Sequence, residues 1–382
     1  MRVLCSERFI VTYRLGVDTY EEAKALAWAV QIEQTIEFPY ELVQSQEIKD
    51  QVVGQLVSLE AVDKGYLAKI SYGVECSAFE VTQFMNVVFG NSSLQPNIWV
   101  EDIELPESLK RHFGGPRFGL AGVRKLCQVT TRPMIQAVIK PMGVTVGQLE
   151  HMCRAYTQGG VDVIKDDHGI TNQPFSSFEE RIKRCASAVQ EENAKRGTHT
   201  LYAANVSGDG MDVWERAHRA KELGATALMV APGLIGFGWL NTLAKAESLQ
   251  LPIIVHPSLS GGYVLPGVSG ISMNVWLGLL PRLFGGDMDI FVTYGGRFTF
   301  TTEACKGLHD KLSQPWTGIK AACPSPGGGV TAKRLPELME LYGKDTMFLV
   351  GGDMFRRGPD LQDNMKYFIS LLEDYDRVHK AE

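Results

Sequence analysis

Short apolar runs alternate with helical stretches after residue 115, and this alternation constrains the fold more than any other feature of the chain. Eight such runs can be read from the sequence: 135–140, 161–167, 201–206, 227–232, 252–256, 290–294, 321–324 and 347–351. A short apolar run between two helices is typical of a buried parallel strand. Eight βα units in roughly 250 residues predict a (β/α)8 barrel, a TIM barrel, over residues 116–382. A doubly wound open sheet is the alternative, which the pattern favours less.

A smaller unit is predicted for residues 1–115, ahead of the barrel. Its pattern is strand, helix, strand, strand, helix, strand, and the segments we assign are strands at 9–15, 67–72 and 99–103, one further strand before 67, and helices at 20–34 and 78–86. This order is that of a ferredoxin-like α+β domain. The breaker cluster Gly114-Gly115-Pro116 marks the boundary between the two domains.

Composition and charge narrow the class of partner. The chain has 382 residues, 45% of them apolar, and a net charge of −6 from dispersed charged residues. This balance argues against nucleic acid as a partner and favours a small molecule. The seven cysteines include no Cys-x-x-Cys pair, so neither a disulfide framework nor a zinc site is indicated. No signal segment and no run of membrane-spanning length is recognised, and we expect a cytoplasmic enzyme.

The second run of the predicted barrel leads directly into residues that can do chemistry. Lys165, Asp166, Asp167 and His168 follow the apolar part of that run. In a barrel, side chains at the carboxyl ends of the strands line the active site. A simpler interpretation is that Lys165 and Asp167 form a buried ion pair at a strand end.

Residues 159–175 resemble the metal-binding signature of ribulose bisphosphate carboxylase (RuBisCO) and its non-carboxylating relatives, the RuBisCO-like proteins. The resemblance implies that Lys165 is carbamylated by CO2, and that this carbamate and Asp167 hold Mg2+. His168 stands where the family has a glutamate. Because Mg2+ prefers hard oxygen ligands, His168 either binds the ion, directly or through water, or carries a proton instead.

The first run ends in Lys140-Pro141, which matches the Lys-Pro motif of the family. The resemblance implies that Lys140 is the base that removes the α-proton of the substrate. A lysine that is partly withdrawn from water beside a second cation can accept a proton. The alternative is an exposed lysine that merely ends a strand. Met142 stands where the carboxylases have a second lysine, which argues against the addition of CO2.

The fifth run ends in His256, which matches a family histidine, although a core histidine is the alternative. Pro257 and Ser260 stand where the family has an arginine and a second histidine that bind a second phosphate. Since neither residue can bind phosphate in that way, we expect a substrate with one phosphate. Arg297, after the sixth run, falls by loose alignment near the lysine that polarises CO2 in the carboxylases. Its guanidinium suits a phosphate or a carboxylate.

Glycine clusters follow the seventh and eighth runs, and their bare backbone N–H groups suit an anion. Four of these glycines match the first phosphate site of the family: Gly328, Gly329, Gly351 and Gly352. A glycine cluster taken alone serves a turn more often than a ligand. Asp353 follows the second cluster, and its charge would repel phosphate if it pointed inward.

Glu33 and Asn91, in the small domain, match family residues that reach the active site of a neighbouring subunit. The resemblance therefore implies a homodimer, or a dimer-based oligomer, with shared active sites. Taken alone, Glu33 is an ordinary helix residue and Asn91 an ordinary helix C-cap. Asn205, at the end of the third run, is a further candidate pocket residue, with a role in a turn as the alternative.

The resemblance covers nearly the whole chain and implies Mg2+-dependent enolisation and proton transfer on a phosphorylated keto-sugar. We expect isomerisation of 5-methylthioribulose 1-phosphate, with Lys140 as base and His168 or His256 as partner acid. One alternative is a decarboxylase of a branched keto-sugar-acid phosphate, of the 3-oxo-isoapionate 4-phosphate type, in which Arg297 would hold the carboxylate. Another is a 2,3-diketo-5-methylthiopentyl 1-phosphate enolase. A regulatory protein that binds a sugar phosphate is the non-enzymatic alternative, which the retained lysines disfavour.

Overall fold

The computed structural model describes residues 7–265, 267–296 and 300–379, and the chain folds as two units. The first unit contains residues up to 114 together with 260–280, and the second contains 115–259 and the residues from 281 onward. Across the described ranges, no helix has both the length and the apolar character needed to cross a bilayer.

The helices and strands are as follows. The strands are β1 (Arg8–Leu15), β2 (Gln55–Val62), β3 (Gly65–Gly73), β4 (Ile98–Glu104), β5 (Met134–Ile139), β6 (Val163–Asp166), β7 (Leu201–Asn205), β8 (Ala227–Val230), β9 (Ile253–Val255), β10 (Gly270–Ile271), β11 (Met288–Val292), β12 (Cys323–Gly327) and β13 (Met347–Val350). The α-helices are α1 (Tyr20–Glu33), α2 (Val81–Phe89), α3 (Glu107–Phe113), α4 (Gly119–Cys127), α5 (Val146–Gln158), α6 (Phe178–Arg196), α7 (Asp212–Glu222), α8 (Pro232–Ile235), α9 (Phe237–Lys245), α10 (Gly261–Val264), α11 (Leu280–Phe284), α12 (Thr302–Ser313), α13 (Leu335–Tyr342), α14 (Asp353–Arg356) and α15 (Leu361–His379). Short 3-10 segments lie at Tyr40–Leu42, Val74–Ser77 and Asn91–Leu94, and short π-helical segments at Ile48–Val52 and Val275–Leu279.

The first unit is built on a sheet with the strand order β10-β4-β1-β3-β2. β1 runs antiparallel to both β3 and β4, and β2 runs antiparallel to β3. Alternate residues of β1, from Phe9 to Leu15, are fully buried, as expected for a strand with one face against a core. The helix α1 begins at a capping box in which Thr19 and Glu22 bond reciprocally. The predicted ferredoxin-like fold is confirmed.

The segment 260–280 differs from the sequence-based domain assignment, which left it in the barrel. It follows β9 in the chain, and its strand β10 pairs in parallel with β4 of the first unit, Gly270 with Trp99 and Ile271 with Val100. A strand of two residues carries no periodic signal, and its partner lies far earlier in the chain. Local pattern therefore gave no means of assigning this segment to the first unit.

The second unit is a ring of parallel strands, which confirms the predicted barrel. The described residues form an eight-stranded sheet in the order β12-β11-β9-β8-β7-β6-β5-β13, and β12 lies beside β13. The largest displacement from the predicted runs is at the seventh strand, which spans Cys323–Gly327 rather than 321–324. Its two prolines remove N–H donors and weaken the strand pattern in the sequence.

The interior of the barrel explains which side chains meet at its carboxyl-terminal edge. Side chains from alternate strand positions fill the core, among them Met134, Val163, Ala203, Met229, Ile254, Met288, Cys323 and Met347. Because successive side chains on a strand point to opposite faces, every second residue from these positions toward the carboxyl end of the strand also faces the interior. It assigns Lys140, Lys165, Asn205 and His256 to the inner face, above the apolar core.

Candidate active site

Lys165 is a buried lysine in β6, only 1% exposed. Its register partners are Val138 of β5 and Ala203 of β7, and its Nζ donates a hydrogen bond of 2.7 Å to the carbonyl oxygen of Asp166. Burial is the main cause that lowers the pKa of Lys165 to about 8; Asp167 and Asp166 oppose the shift, and the nearby Lys140 contributes to it. A lysine with this pKa is partly a neutral amine near neutral pH, and a neutral amine can react with CO2 to form a carbamate.

Lys140 and Asp167 face each other across the ends of β5 and β6. Lys140 Nζ lies 3.8 Å from Asp167 Oδ2, with 35% and 18% of the two side chains exposed. The end of β13 is equally close, since a Cβ built on Gly351 would lie 3.5 Å from Lys140 Nζ. Lys140 is therefore accessible to a substrate, and it lies between the carboxylate after β6 and the glycines after β13.

His168 and His256 form a stacked pair of imidazoles beside this cluster. Their ring centroids are 4.2 Å apart and their planes differ by 14°. His168 Nδ1 lies 3.4 Å from Asp167 Oδ1. Burial first, and then electrostatic interaction with Lys165, His168 and Lys140, holds the pKa of His256 well below its ordinary value. His256 is therefore a neutral imidazole, which can exchange a proton.

Ser258 contacts His256 directly and was not identified from the sequence. Its Oγ lies 2.8 Å from His256 Nδ1. The two residues are separated by one position in the turn that follows β9, so the serine reaches back to the ring. A histidine followed two residues later by serine after an apolar run is the only local signal that could have indicated this contact.

Asp166 points away from the cluster, into a buried polar network. Its carboxylate accepts hydrogen bonds from Tyr202 Oη at 2.7 Å and Asn205 N at 3.0 Å. It also pairs with Arg181 Nε at 3.3 Å, and both side chains are completely buried. None of these roles was predicted, although strand alternation does put the side chain of Asp166 on the other face of the barrel wall from those of Lys165 and Asp167. The network holds the end of β6, and with it the two neighbouring residues.

Asn205 fixes the loop that carries His168. Its Nδ2 donates to the carbonyl oxygens of His168 and Ile170, both at 3.1 Å. Its Oδ1 accepts from the backbone of Ser207. The side chain of Asn205 thus supports the loop after β6, and its bond to the backbone of Ser207 is the turn-forming role given as the alternative.

The predicted phosphate glycines lie at the ends of two adjacent strands. Gly328 and Gly329 follow β12, and Gly351 and Gly352 follow β13. A Cβ built on Gly296 would overlap the carbonyl oxygen of Gly328, so the loop after β11 packs closely against this backbone.

Two charged side chains support these glycine loops. The carboxylate of Asp353 accepts a 2.9 Å hydrogen bond from the backbone of Ala332, so it is engaged by the loop after β12. Arg334 Nη1 donates to the carbonyl oxygens of Tyr294, at 2.8 Å, and Gly329, at 3.1 Å. Arg334 thus ties together the loops after β11 and β12, a role that was not predicted.

The remaining predicted residues lie elsewhere. In the first unit, Asn91 Nδ2 donates a 3.0 Å hydrogen bond to Glu33 Oε1, so these two side chains are brought together. Arg297 lies outside the described residues.

The donor set fits Mg2+ only if Lys165 is modified. Within the described part of the chain, no group of three His, Cys, Asp or Glu side chains is arranged to hold a metal. Asp167 supplies a hard carboxylate oxygen beside the buried Lys165 amine, which becomes an oxygen ligand only as a carbamate. His168 adds an imidazole close to Asp167.

Comparison with known proteins agrees with this geometry. The family "Ribulose bisphosphate carboxylase large chain, catalytic domain" matches residues 119–357. The ribulose bisphosphate carboxylase-like protein 1 of Rhodopseudomonas palustris is 36% identical over 97% of this chain and 99% of its own. The 5-methylthioribulose-1-phosphate isomerase of Rhodospirillum rubrum is 30% identical over 96% of both chains.

A solved structure shows the same fold. The crystal structure of a Rubisco-like protein from Rhodopseudomonas palustris has a TM-score of 0.87 and 35% sequence identity, and the match covers 97% of this chain and 99% of that one. The chain therefore belongs to the ribulose bisphosphate carboxylase large-chain family, as a RuBisCO-like protein.

Proposed function

We propose that this protein is an enzyme that moves a proton next to the ketone of a phosphorylated keto-sugar, and that it isomerises 5-methylthioribulose 1-phosphate. The observation that carries the proposal is the position of Lys140, whose Nζ is 3.8 Å from Asp167 and close to Gly351. Lys140, the proposed base, thus lies between a carboxylate suited to a metal and glycines suited to a phosphate. The name of the Rhodospirillum rubrum relative supports the choice of substrate.

The residues that would hold Mg2+ are carbamylated Lys165 and Asp167, with His168 as a direct or water-mediated third partner. When bound there, Mg2+ polarises the substrate ketone and favours loss of the neighbouring proton.

In its neutral amine form, Lys140 takes the proton from the carbon beside the ketone. The C–H bond breaks, its electron pair forms the enediolate, and the proton is held on Nζ. Return of that proton to the neighbouring carbon gives the isomeric ketone. One hydroxyl proton must also move. It leaves the hydroxyl oxygen that becomes the new carbonyl and binds to the oxygen of the original ketone. In this proposal the neutral imidazole of His256, which stacks on His168, carries that proton.

Carboxylation is not part of the proposal. Pro257 and Ser260 provide no cation for a second phosphate. The Met142 side chain is half-exposed, and its Cε packs near Gly169, where a built Cβ would lie 2.9 Å away. A thioether at this position offers neither the charge nor the donors of a lysine.

The test is proton NMR of the protein with Mg2+, bicarbonate and 5-methylthioribulose 1-phosphate in heavy water. We expect exchange of the α-proton for deuterium and a new pentulose phosphate. The Lys125→Ala variant, which changes an exposed lysine on α4, should match the wild type. Absence of exchange, in a sample shown by mass spectrometry to carry the carbamate, would overturn the proposal. Release of CO2 from a branched keto-acid phosphate would then favour the decarboxylase.

The proposed assembly is a homodimer in which Glu33 and Asn91 complete the partner's site, as the family resemblance implies. The hydrogen bond between them supports a joint role. Mixing a Glu33→Gln variant with a Lys140→Ala variant tests it, since one site of each mixed dimer would keep both residues. Recovered activity is expected, and a mixture no more active than its two components would contradict shared sites.

A further inference from the structure

We propose that Ser258 is a positioning residue that fixes the rotation and tautomer of His256, so that Nε2 is the ring atom that exchanges a proton with the substrate. The inference rests on the proposed function, because it assigns His256 to the hydroxyl proton of the same reaction.

The first support is the contact itself. Ser258 Oγ lies 2.8 Å from His256 Nδ1, within the range of a good hydrogen bond. A neutral imidazole carries one N–H, and the partner of one nitrogen decides the state of the other. A serine hydroxyl can donate or accept, and we assign Nδ1–H as the donor here, which leaves the lone pair of Nε2 free to accept a proton.

The second support is the packing around both residues. One face of the His256 ring is covered by His168, at a centroid distance of 4.2 Å and an angle of 14°. The backbone of Ser258 packs closely against Gly233 of α8, where an added Cβ would overlap the carbonyl oxygen of Ser258. The stack sets the plane of the ring, and the hydrogen bond sets which edge faces the serine.

The consequence for the reaction is a defined proton carrier. Nε2 accepts the proton from a substrate hydroxyl, so that an O–H bond breaks and an N–H bond forms. It then returns the proton to the oxygen of the former ketone, and the ring is again neutral. Without the serine, both tautomers and a rotated ring become available, and only part of the population is competent.

The experiment measures kcat and KM for 5-methylthioribulose 1-phosphate in Ser258→Ala and Ser258→Thr. We expect kcat to fall by about 10- to 100-fold in the alanine variant with KM changed less than about threefold, as for the loss of an orienting partner. The threonine variant retains a hydroxyl and should regain most of the lost turnover. Ser370→Ala, which removes a local serine hydrogen bond in α15, is the matched control and should change neither constant.

A spectroscopic measurement separates this inference from the proposed function. In protein labelled with 15N-histidine, without substrate, the His256 signals should show a protonated Nδ1 and an unprotonated Nε2 in the wild type, and a mixture in Ser258→Ala. The opposite tautomer in the wild type, or the same tautomer in both proteins, overturns the inference even if the enzyme is active. Equal kcat in wild type and Ser258→Ala also overturns it. A wild type that is inactive but shows the expected tautomers contradicts only the proposed substrate.

Discussion

Asp166 and Asp167 are adjacent in the sequence but belong to opposite faces of the barrel wall. Asp167 Oδ2 lies 3.8 Å from Lys140 Nζ, whereas Asp166 Oδ2 lies 3.3 Å from Arg181 Nε. Strand alternation produces this division, since successive side chains cannot share a face. One carboxylate is thereby available to the reaction, and the other stabilises the structure that positions it.

Asp166→Ala should destabilise the protein strongly. The change leaves the fully buried Arg181 without its carboxylate and removes the acceptor for Tyr202. Breaking a buried ion pair in this way costs about 3–5 kcal/mol. Urea unfolding followed by tryptophan fluorescence measures the loss. Glu179→Ala is the control, because its solvent-exposed ion pair with Arg219 should contribute little to stability. Equal losses in the two variants would show that the network is not stabilising.

The fold and most of the site could be predicted because they depend on local pattern and on one specific motif. The apolar runs predicted the barrel strands, and the ends of those runs indicated Lys140, Lys165 and His256. The order of strands and helices predicted the ferredoxin-like sheet.

What could not be predicted depends on contacts between distant segments or on side-chain geometry. The pairing of Arg181 with Asp166 links α6 to β6, and neither residue has a distinctive neighbour in the sequence. Arg334 joins two loops by bonding to carbonyl oxygens, which every residue possesses. The stack of His168 on His256 joins the ends of β6 and β9, which are separated by β7 and β8 in the sheet.

Activation of Lys165 should depend on pH around its pKa of about 8. Only the neutral amine reacts with CO2, and its fraction rises tenfold per unit below the pKa and levels off above it. At fixed dissolved CO2, the rate of carbamate formation should therefore increase with pH and reach a plateau above about 8. NMR with 13C-labelled bicarbonate and Mg2+ measures this rate. A rate that stays constant from about two pH units below this pKa to about one unit above it would contradict the assignment.

Lys140→Ala should shift the pH profile of carbamate formation on Lys165 to higher pH. The Lys140 ammonium lowers the pKa of Lys165, so its removal raises this pKa and moves carbamate formation to higher pH. The carbamate signal itself should remain, whereas Lys165→Met should abolish it. A profile that moves to lower pH would show that the two ammonium groups do not interact as the geometry implies.

The catalytic role of Lys140 is tested by turnover rather than by stability. Its side chain is 35% exposed and its ion pair is long, so Lys140→Ala should leave the thermal midpoint nearly unchanged. Turnover should fall by about 10²–10⁴-fold, the usual contribution of a positioned acid or base. Lys140→Arg should not restore it, because a guanidinium does not release its proton. Lys125→Ala is the control, and retained turnover in Lys140→Ala would remove this lysine from the role of base.

Gly352→Ala tests the phosphate site without disturbing the fold. Gly352 has φ −60° and ψ −28°, which alanine adopts freely, and an added Cβ would meet no atom within 4 Å. The thermal midpoint should therefore hold or rise slightly, since alanine in a compatible conformation restricts the unfolded chain. If the backbone amides after β13 bind the phosphate, a methyl group there crowds the ligand, and KM should rise by at least about tenfold, which is about 1.4 kcal/mol of lost binding. The inhibition constant of inorganic phosphate, used as a competitive inhibitor, should rise in parallel. Gly147→Ala, in α5 with only ordinary contacts around the added methyl, is the matched control. An unchanged KM and an unchanged inhibition constant for phosphate in Gly352→Ala would place the phosphate away from this strand end.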